Sequence, residues 1–467
     1  MKLKSRLTNR KVNNMKKLIA ILLALVLCMS FLAACGGGSK GTINVWSFTE
    51  EVPNAILRFK ELNPSFAYDI NVTVVPTDGG GYQQQLDQAL IGGGSDAPDI
   101  YTAEAAMVLK YTQADFADQA MTYDELFGGN AMSKVSAAQI ATYAWELGTR
   151  PADGKLVALP FQATGSAFIY RRSLAIEIWG TDDPATIESK VGPGWNKFLE
   201  AAEEAKAKGI AILAGEGDAW QAIRSGATTP WIVNGILNLD SHREQYLDIG
   251  YALYNNDFTT KVGAWSDGWS AGMGGVGEMP VLGYLGPAWL INYVMVNNVG
   301  DTWGDWAICN PPTGFSWGGT WVLANKDADE DKLEAIATLI EWITLDTSND
   351  GFQYKFANGN LYENSKEFVD LAQDFADGKY TKDAVASGVV MAKSNGELDI
   401  LGGQNMFDVF IPAGANASGA GFGPYDETIN STFADQAEQY FMGNKTREQA
   451  IADFYQTILD EMNIPSS

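Results

Sequence analysis

The sequence predicts an α/β protein built on a doubly wound sheet, on two observations. From Thr42 to Tyr101, strand-length apolar segments alternate with amphipathic helical ones, and this β-α-β-α-β order implies right-handed parallel crossovers. The alternation breaks at residues 153–172 and then restarts. A chain of 467 residues, 46% of them hydrophobic, is long enough for at least two cored domains.

Thr42–Trp46 alternates with the period of a half-buried strand. Glu51–Leu62 follows as a helix, with Val52, Ile56, Phe59 and Leu62 on one face and Asn63-Pro64 as its stop. Asp69–Val75 is the next strand. Gly79, Gly80 and Gly81 lead to a helix over Tyr82–Ile91, which the Gly-Gly-Gly-Ser of residues 92–95 breaks. Pro98–Tyr101 opens a third strand.

Residues 153–172 hold two apolar runs, Leu156–Leu159 and Ala167–Tyr170, each of strand length. Pro160 ends the first, and Gln162–Ser166 between them are mostly small or polar. The runs are either neighbouring strands or a crossing from one lobe into another, with Gln162 and Thr164 at a cleft floor; the segment alone leaves both open. Beyond it, Asn196–Lys208 reads as a helix with Phe198, Leu199, Ala202 and Ala205 inward and Gly209 at its C′ position. Residues 218–283 are loop-rich. Val281–Leu285 is strand-like, and Gly286–Trp289 turns into a helix. Trp306–Cys309 and Thr320–Ala324 read as strands, with Asn310–Pro312 as a second crossing. Lys332–Thr344 is amphipathic, bearing Leu333, Ile336, Ile340 and Ile343. The last third reads as mostly helical, and its final helix opens on a capping box, Thr446 with Gln449.

The first 34 residues are an address rather than a fold. Basic residues, ending in Lys16 and Lys17, precede the apolar run Leu18–Leu27, which is too short for a comfortable membrane span. Met15 offers an alternative start. The run leads to Leu32-Ala33-Ala34-Cys35, and the combination resembles the lipobox of bacterial lipoproteins, which implies cleavage before Cys35 and lipid on its thiol. Residues 36–41 then form a flexible tether. Removing residues 1–34 leaves 25 basic residues against 57 acidic ones, a net charge of −32. Such a surface disfavours nucleic acid and anionic membranes. With Cys35 carrying lipid, Cys309 has no disulfide partner and reads as a buried small hydrophobe. One histidine, His242, and one spare cysteine do not make a zinc site.

In order along the chain, the lipobox, Trp46 closing the first strand, Ala97–Tyr101, Asp153–Pro160 and Gly286–Trp289 resemble the extracellular solute-binding lipoproteins of bacterial ABC importers, in the carbohydrate-binding group that includes maltose-binding protein. The resemblance covers nearly all of residues 42–467. It implies a type II periplasmic-binding-protein-like fold, two α/β lobes joined by hinge strands and closing on ligand. In that layout residues 161–165 and 309–312 are crossings, and a third lies near 345–349. The first lobe takes residues 42–163 and 310–345, and the second takes 164–309 and 346–467. They follow a signal peptide over 1–34 and the lipidated Cys35 with its tether over 35–41. The implied partners are a carbohydrate ligand, the permease subunits and the outer face of the cytoplasmic membrane through the lipid on Cys35. The implied protein is a monomer without cofactor or metal.

Carried over by position, the family's ligand contacts fall on the loop after the first strand, Ser47 to Glu50 (Phe48, Thr49 and Glu50 as candidates), on Glu104, and on Gln162 and Thr164 at the crossing. In the second lobe they fall on Asp218, Trp220, Trp289 and a late aromatic, Phe422 or Tyr425. Trp46, Trp220, Trp289 and Trp317 also sit at strand ends or in loops, where cleft residues belong. All fourteen tryptophans lie beyond residue 34, and Trp265, Trp269, Trp289, Trp303, Trp306, Trp317 and Trp321 crowd one stretch. Trp306, Trp321 and Trp342, on strands or an inward helix face, read as core.

Other motifs read as structure. Gly268–Gly272 fits G-x-S-x-G, but no strand precedes it and His242 comes before Ser270, so a Gly-rich loop is expected. Gly272–Gly277 fits G-x-G-x-x-G, yet Pro280 and a strand follow where a dinucleotide site needs a helix. Asp327, Asp329 and Asp331 alternate like a calcium loop, with Lys332 where glycine belongs, and suit a helix N-terminus instead. Two other functions remain open on the residues: a surface-anchored glycoside hydrolase, although no carboxylate pair stands out, and the same fold taking a peptide or a polyamine.

Overall fold

The alternating segments at the head of the chain build one side of a sheet. Strand β1 (Thr42–Ser47) buries Ile43 and Val45, and helix α1 (Glu51–Leu62) buries Val52, Ile56 and Phe59. Leu62, expected on the same face, is 40% exposed because it is the helix's last residue. Strand β2 (Asp69–Val74), helix α2 (Gly81–Gly92), strand β3 (Ile100–Glu104) and helix α3 (Ala105–Thr112) complete the run. The coordinates are a computed structural model that describes residues 39–77, 81–377 and 382–466. Contacts divide the chain into residues 1–40 and 41–467; only Ser39 and Lys40 of the former are described. The signal, the lipobox with Cys35 and residues 36–38 of the tether lie outside the described residues.

The expected first run of the joint, Leu156–Leu159, is divided: Lys155–Leu156 pairs with Thr149–Arg150, and only strand β4 (Leu159–Pro160), which includes Pro160, joins the larger sheet. Strand β5 (Ala167–Arg171) is the second run. Helix α4 (Trp195–Lys206), strand β6 (Ala211–Leu213), helix α5 (Glu216–Ser225) and helix α6 (Ser241–Asn255) follow. Then come strand β7 (Val281–Gly286), a π-helical turn over Leu290–Met295, strand β8 (Trp306–Cys309) and strand β9 (Thr320–Ala324). The chain continues with helices α7 (Leu333–Thr344), α8 (Phe352–Ala357), α9 (Phe407–Asn416), α10 (Asp426–Phe441) and α11 (Arg447–Met462). The capping box at Thr446 and Gln449 is formed.

One sheet runs β2-β1-β3-β9-β4 and the other β8-β5-β7-β6. β1 is parallel to β2 and β3, and β9 is antiparallel to β3 and β4. In the second sheet β7 is parallel to β6, and β5 is antiparallel to β7 and β8. Because β4 and β5 belong to different sheets, residues 161–166 are a crossing, not a hairpin. The return crossing pairs with it: Ser166 N–H donates to Phe315 O at 3.0 Å and Trp317 N–H to Thr164 O at 3.1 Å. Polar residues occupy this joint because backbone passing between two cores must bond to itself.

Trp306 and Trp321 are at most 1% exposed, as expected of strand residues in the core. The last third does not pack as one body. Helices α10 and α11 join the second lobe, where Phe433 and Phe454 meet Trp231. Residues 352–363 are instead tied to the first lobe, since Phe352 packs on Trp342 and Arg58 Nε of α1 donates to Leu361 O at 2.8 Å. Past residues 345–349, where a third crossing was expected, α8 folds back beside α7. It is residues 384–386 that join the joint, with Ala163 N–H donating to Ala384 O and Ala386 N–H to Phe161 O.

Candidate ligand cleft

The cleft is assembled from strand and helix ends. Glu104 closes β3 and caps α3, its carboxylate accepting from Ala106 N–H at 2.7 Å. Ser316, Trp317 and Gly318 come from the return crossing, and Asp218, Trp220 and Arg224 from α5. Trp265 belongs to the loop after α6, Phe422 to the loop before α10, and Asp426 is the first residue of α10. Together they enclose about 550 Å³.

Its apolar wall is a group of tryptophans. Trp265 lies parallel to Trp289, with ring centroids 6.0 Å apart and planes 4° from parallel, and meets Trp317 edge-on at 5.8 Å. Trp289 in turn packs edge-on against Trp317 at 5.0 Å and donates from Nε1 to Trp317 O at 2.8 Å. Gly318 permits this, because a Cβ there would lie 3.2 Å from Trp289 Nε1 and its φ is +69°. Trp265 itself has φ +68° and is 59% exposed, an unfavourable backbone for an indole and an unfavourable place for its surface.

The polar wall is mostly acidic. Asp218 is 2% exposed and accepts from Trp269 Nε1 at 3.1 Å; burial pushes its carboxyl up to about 7. Burial likewise raises Asp426 to about 6, against the pull of Arg243 and Arg224, and its Oδ1 has no hydrogen-bond partner among the described residues. Burial raises Glu104 as well. Arg224 is the basic member; its Nε donates to Gln221 at 2.9 Å, and burial lowers it against the pull of Asp426, Glu104 and Glu427.

An acid whose pKa rises on folding holds its proton more tightly in the folded chain. The stability it contributes is complete below its unfolded value near 3.8 and is lost as pH rises toward 7. The unfolding free energy in urea is expected to fall between about pH 4 and about pH 7, and Asp218→Asn, which keeps an acceptor for Trp269, to reduce that fall by on the order of 1–2 kcal/mol. An unchanged fall in the variant would remove Asp218 from the account.

Of the residues chosen from sequence, Glu104, Asp218, Trp220 and Trp317 line this cleft. Trp220 is only 6% exposed and packs on Tyr246 and Phe433, so most of its ring is core. Trp289 stands behind Trp265 as its support, and the adjacent Ala288 is buried. Gln162 and Thr164 are enclosed in the joint: Gln162 Nε2 reaches Asp383 at 3.4 Å, and Thr164 Oγ1 lies 3.0 Å from Tyr143 Oη. Trp46 and Phe48 pack on the first lobe, Phe48 against Tyr82, and Thr49 Oγ1 is buried. Glu50 lines a different pocket. Tyr425 is 46% exposed and outside the lining, which Phe422 supplies. Sequence reasoning missed Trp265, Arg224 and Asp426; only the crowding of tryptophans pointed toward the first.

Ser270 sits inside a helix over Asp267–Met273, which the Ser266 side chain caps, so no nucleophile turn exists there. Lys332 pairs with Asp99 and Asp329, and among the described residues no group of acidic, His or Cys side chains is arranged to hold a metal ion. No helix among the described residues is long and apolar enough to cross a membrane.

Two α/β lobes, joined by paired crossings and meeting at an aromatic and acidic cleft, have the architecture of a solute-binding protein. The chain belongs to the bacterial extracellular solute-binding protein family, whose model matches residues 55–360. Among solved structures it resembles an extracellular solute-binding protein of family 1, at 18% identity over 89% of this chain and 98% of that one, with a TM-score of 0.68. It also resembles the galacto-N-biose-/lacto-N-biose I-binding protein of the ABC transporter from Bifidobacterium longum, in complex with lacto-N-biose. There the identity is 15%, over 93% of this chain and 100% of that one, with a TM-score of 0.64. The sugar-binding protein MalE from the phytopathogen Xanthomonas citri matches at 15% identity over 90% of this chain and 96% of that one, with a TM-score of 0.64. Comparison with curated proteins gives no match.

Proposed function

We propose that the chain captures a sugar, an oligosaccharide in the first instance, in the interlobe cleft and delivers it to the permease of an ABC importer. The observation that carries this reading is the Trp265–Trp289–Trp317 group beside the carboxylates of Glu104, Asp218 and Asp426. An exposed indole offers a flat face for sugar C–H groups, and buried carboxyl groups offer the hydrogen bonds that hydroxyls need. The B. longum neighbour, an ABC transporter's binding protein holding a disaccharide, supports it. The lobe division proposed here assigns residues 42–163, 320–363 and the joint-bound 384–386 to the first lobe, and 167–309 and 426–466 to the second. Glu104, Asp218, Trp265, Trp317 and Phe422 are the proposed ligand contacts.

A thermal-shift screen of the protein against neutral oligosaccharides tests the reading. A ligand at about 100-fold over its Kd is expected to stabilise by about 2.7 kcal/mol. No shift with any glycan would overturn the sugar assignment, and conversion of the glycan to product would favour a hydrolase. The lipobox supports anchoring at the outer face of the cytoplasmic membrane through Cys35. Cys35→Ala is expected to abolish lipid attachment, and intact mass of the wild-type protein showing an unmodified cysteine would refute the anchor.

A further inference from the structure

Helices α5 and α10 lie side by side and antiparallel along one wall of the cleft. Trp220, midway along α5, packs on Phe433 of α10 with ring centroids 5.1 Å apart. Arg224, near the end of α5, faces Asp426 and Glu427 at the start of α10, whose charges act on it. The lining residues of α10 recur in two rows at helical spacing, Asp426, Asn430 and Ala434 beside Glu427, Ser431 and Asp435. From Asp426 to Asp435 these rows run about 14 Å along the helix axis. The cleft therefore includes an elongated groove, longer than one sugar ring.

The tryptophans stand at one end of the groove. Trp265 packs on Trp269 at 5.4 Å, and Trp269 Nε1 is bonded to Asp218 in the first turn of α5. Arg224 lies about 9 Å further along the same helix. A pyranose ring stacked on Trp265 is shorter than that separation and leaves the Arg224 end unfilled. The far end offers both partners that hydroxyl groups need. Arg224 Nε and Nη2 donate to the Gln221 side-chain oxygen, and Nη1 bonds to nothing among the described residues. Glu427 is exposed, lines the cleft and has no hydrogen-bond or ion-pair partner among the described residues. A free donor beside a free carboxylate matches two neighbouring hydroxyls. Phe422, just before α10, supplies an apolar face at the same end. Acidic side chains outnumber Arg224, the one basic residue in the described lining, which disfavours an anionic glycan.

We propose that the groove between α5 and α10 selects for chain length. A linear neutral glycan, a trisaccharide or longer, lies along it with one ring on Trp265 and the far ring held by Arg224 Nη1 and Glu427. This rests on the sugar reading and adds to it the length of the ligand and the two residues that sense it.

Calorimetric titration of the full chain in detergent micelles with linear gluco-, galacto-, manno- and xylo-oligosaccharides, each from monosaccharide to tetrasaccharide, tests the proposal. In a series that binds, affinity is expected to rise at least tenfold from disaccharide to trisaccharide. Glu427→Ala, at an exposed position, and Arg224→Met, checked for folding by circular dichroism, are each expected to reduce that rise to less than twofold. Trp265→Ala is expected to weaken every length. The ratio between two lengths is read within one variant, so a general loss of folded protein does not mimic the effect. A disaccharide that binds as tightly as the trisaccharide overturns the proposal and leaves the sugar reading standing, and so does a tenfold rise that persists in both variants. Binding by no member of any series overturns the sugar reading and the proposal with it.

Discussion

Trp265→Ala is expected to weaken sugar binding by about 2–4 kcal/mol while changing the unfolding free energy by less than about 1 kcal/mol. The separation follows from the geometry. The indole is 59% exposed, so truncation removes little buried surface from the fold. Its backbone already sits at φ +68°, where alanine is no worse than tryptophan. What truncation removes is a ring held parallel to Trp289 and edge-on to Trp317, and therefore fixed in orientation before a ligand arrives. Trp289→Ala makes the contrast. It deletes the support, the edge-on contact and the Nε1 bond to Trp317 O, so affinity and stability should both fall. Calorimetry and urea melts on the two variants distinguish the roles. Full affinity in Trp265→Ala would mean that the stacked pair is structural and that the ligand lies elsewhere in the cleft.

The parts of the fold legible in sequence were those set by local pattern. The helix over Glu51–Leu62 and the strands over Trp306–Cys309 and Thr320–Ala324 appear at the residues where periodicity placed them. The joint at 153–172 was ambiguous because two short apolar runs look alike whether they pair or part. Only their partners decide it, Val322 for Leu159 and Ile308 for Ile169, and those lie far along the chain. The attachment of residues 352–363 to the first lobe was not legible for the same reason: it depends on Arg58, about 300 residues earlier, finding carbonyls at 361 and 363. In the cleft, Glu104 and Asp218 were reached only through the family resemblance; the structure sets each at the start of a helix following a strand, and for Asp218 the helix was not legible in a stretch read as loop-rich. Trp265 was not reached at all. Its place rests on a left-handed backbone in an irregular loop and on stacking with a tryptophan from beyond β7, and neither leaves a local signature.

Gly165→Ala is expected to destabilise the protein by about 3 kcal/mol, near the upper end for overpacking. The residue sits in the outward crossing and bridges to Ser316 in the return. A Cβ built there would lie 2.5 Å from Gly414 N and 2.6 Å from Ala413 C, closer than real Cβ contacts come. Both are backbone atoms of α9, so no side chain can rotate aside; either the helix or the crossing has to move. The cause is steric and not conformational, since Gly165 is not among the glycines of positive φ. Displacing the crossing also threatens the bonds that pair it with the return, Ser166 to Phe315 and Trp317 to Thr164, and the second of these holds a cleft residue. Affinity for sugar should therefore fall together with stability, although Gly165 itself does not line the cleft and only its bridge partner Ser316 does. Gly92→Ala is the control, because a Cβ there meets nothing within 4 Å, and it should leave urea unfolding nearly unchanged. Wild-type stability in Gly165→Ala would show that α9 is free to shift away from the crossing.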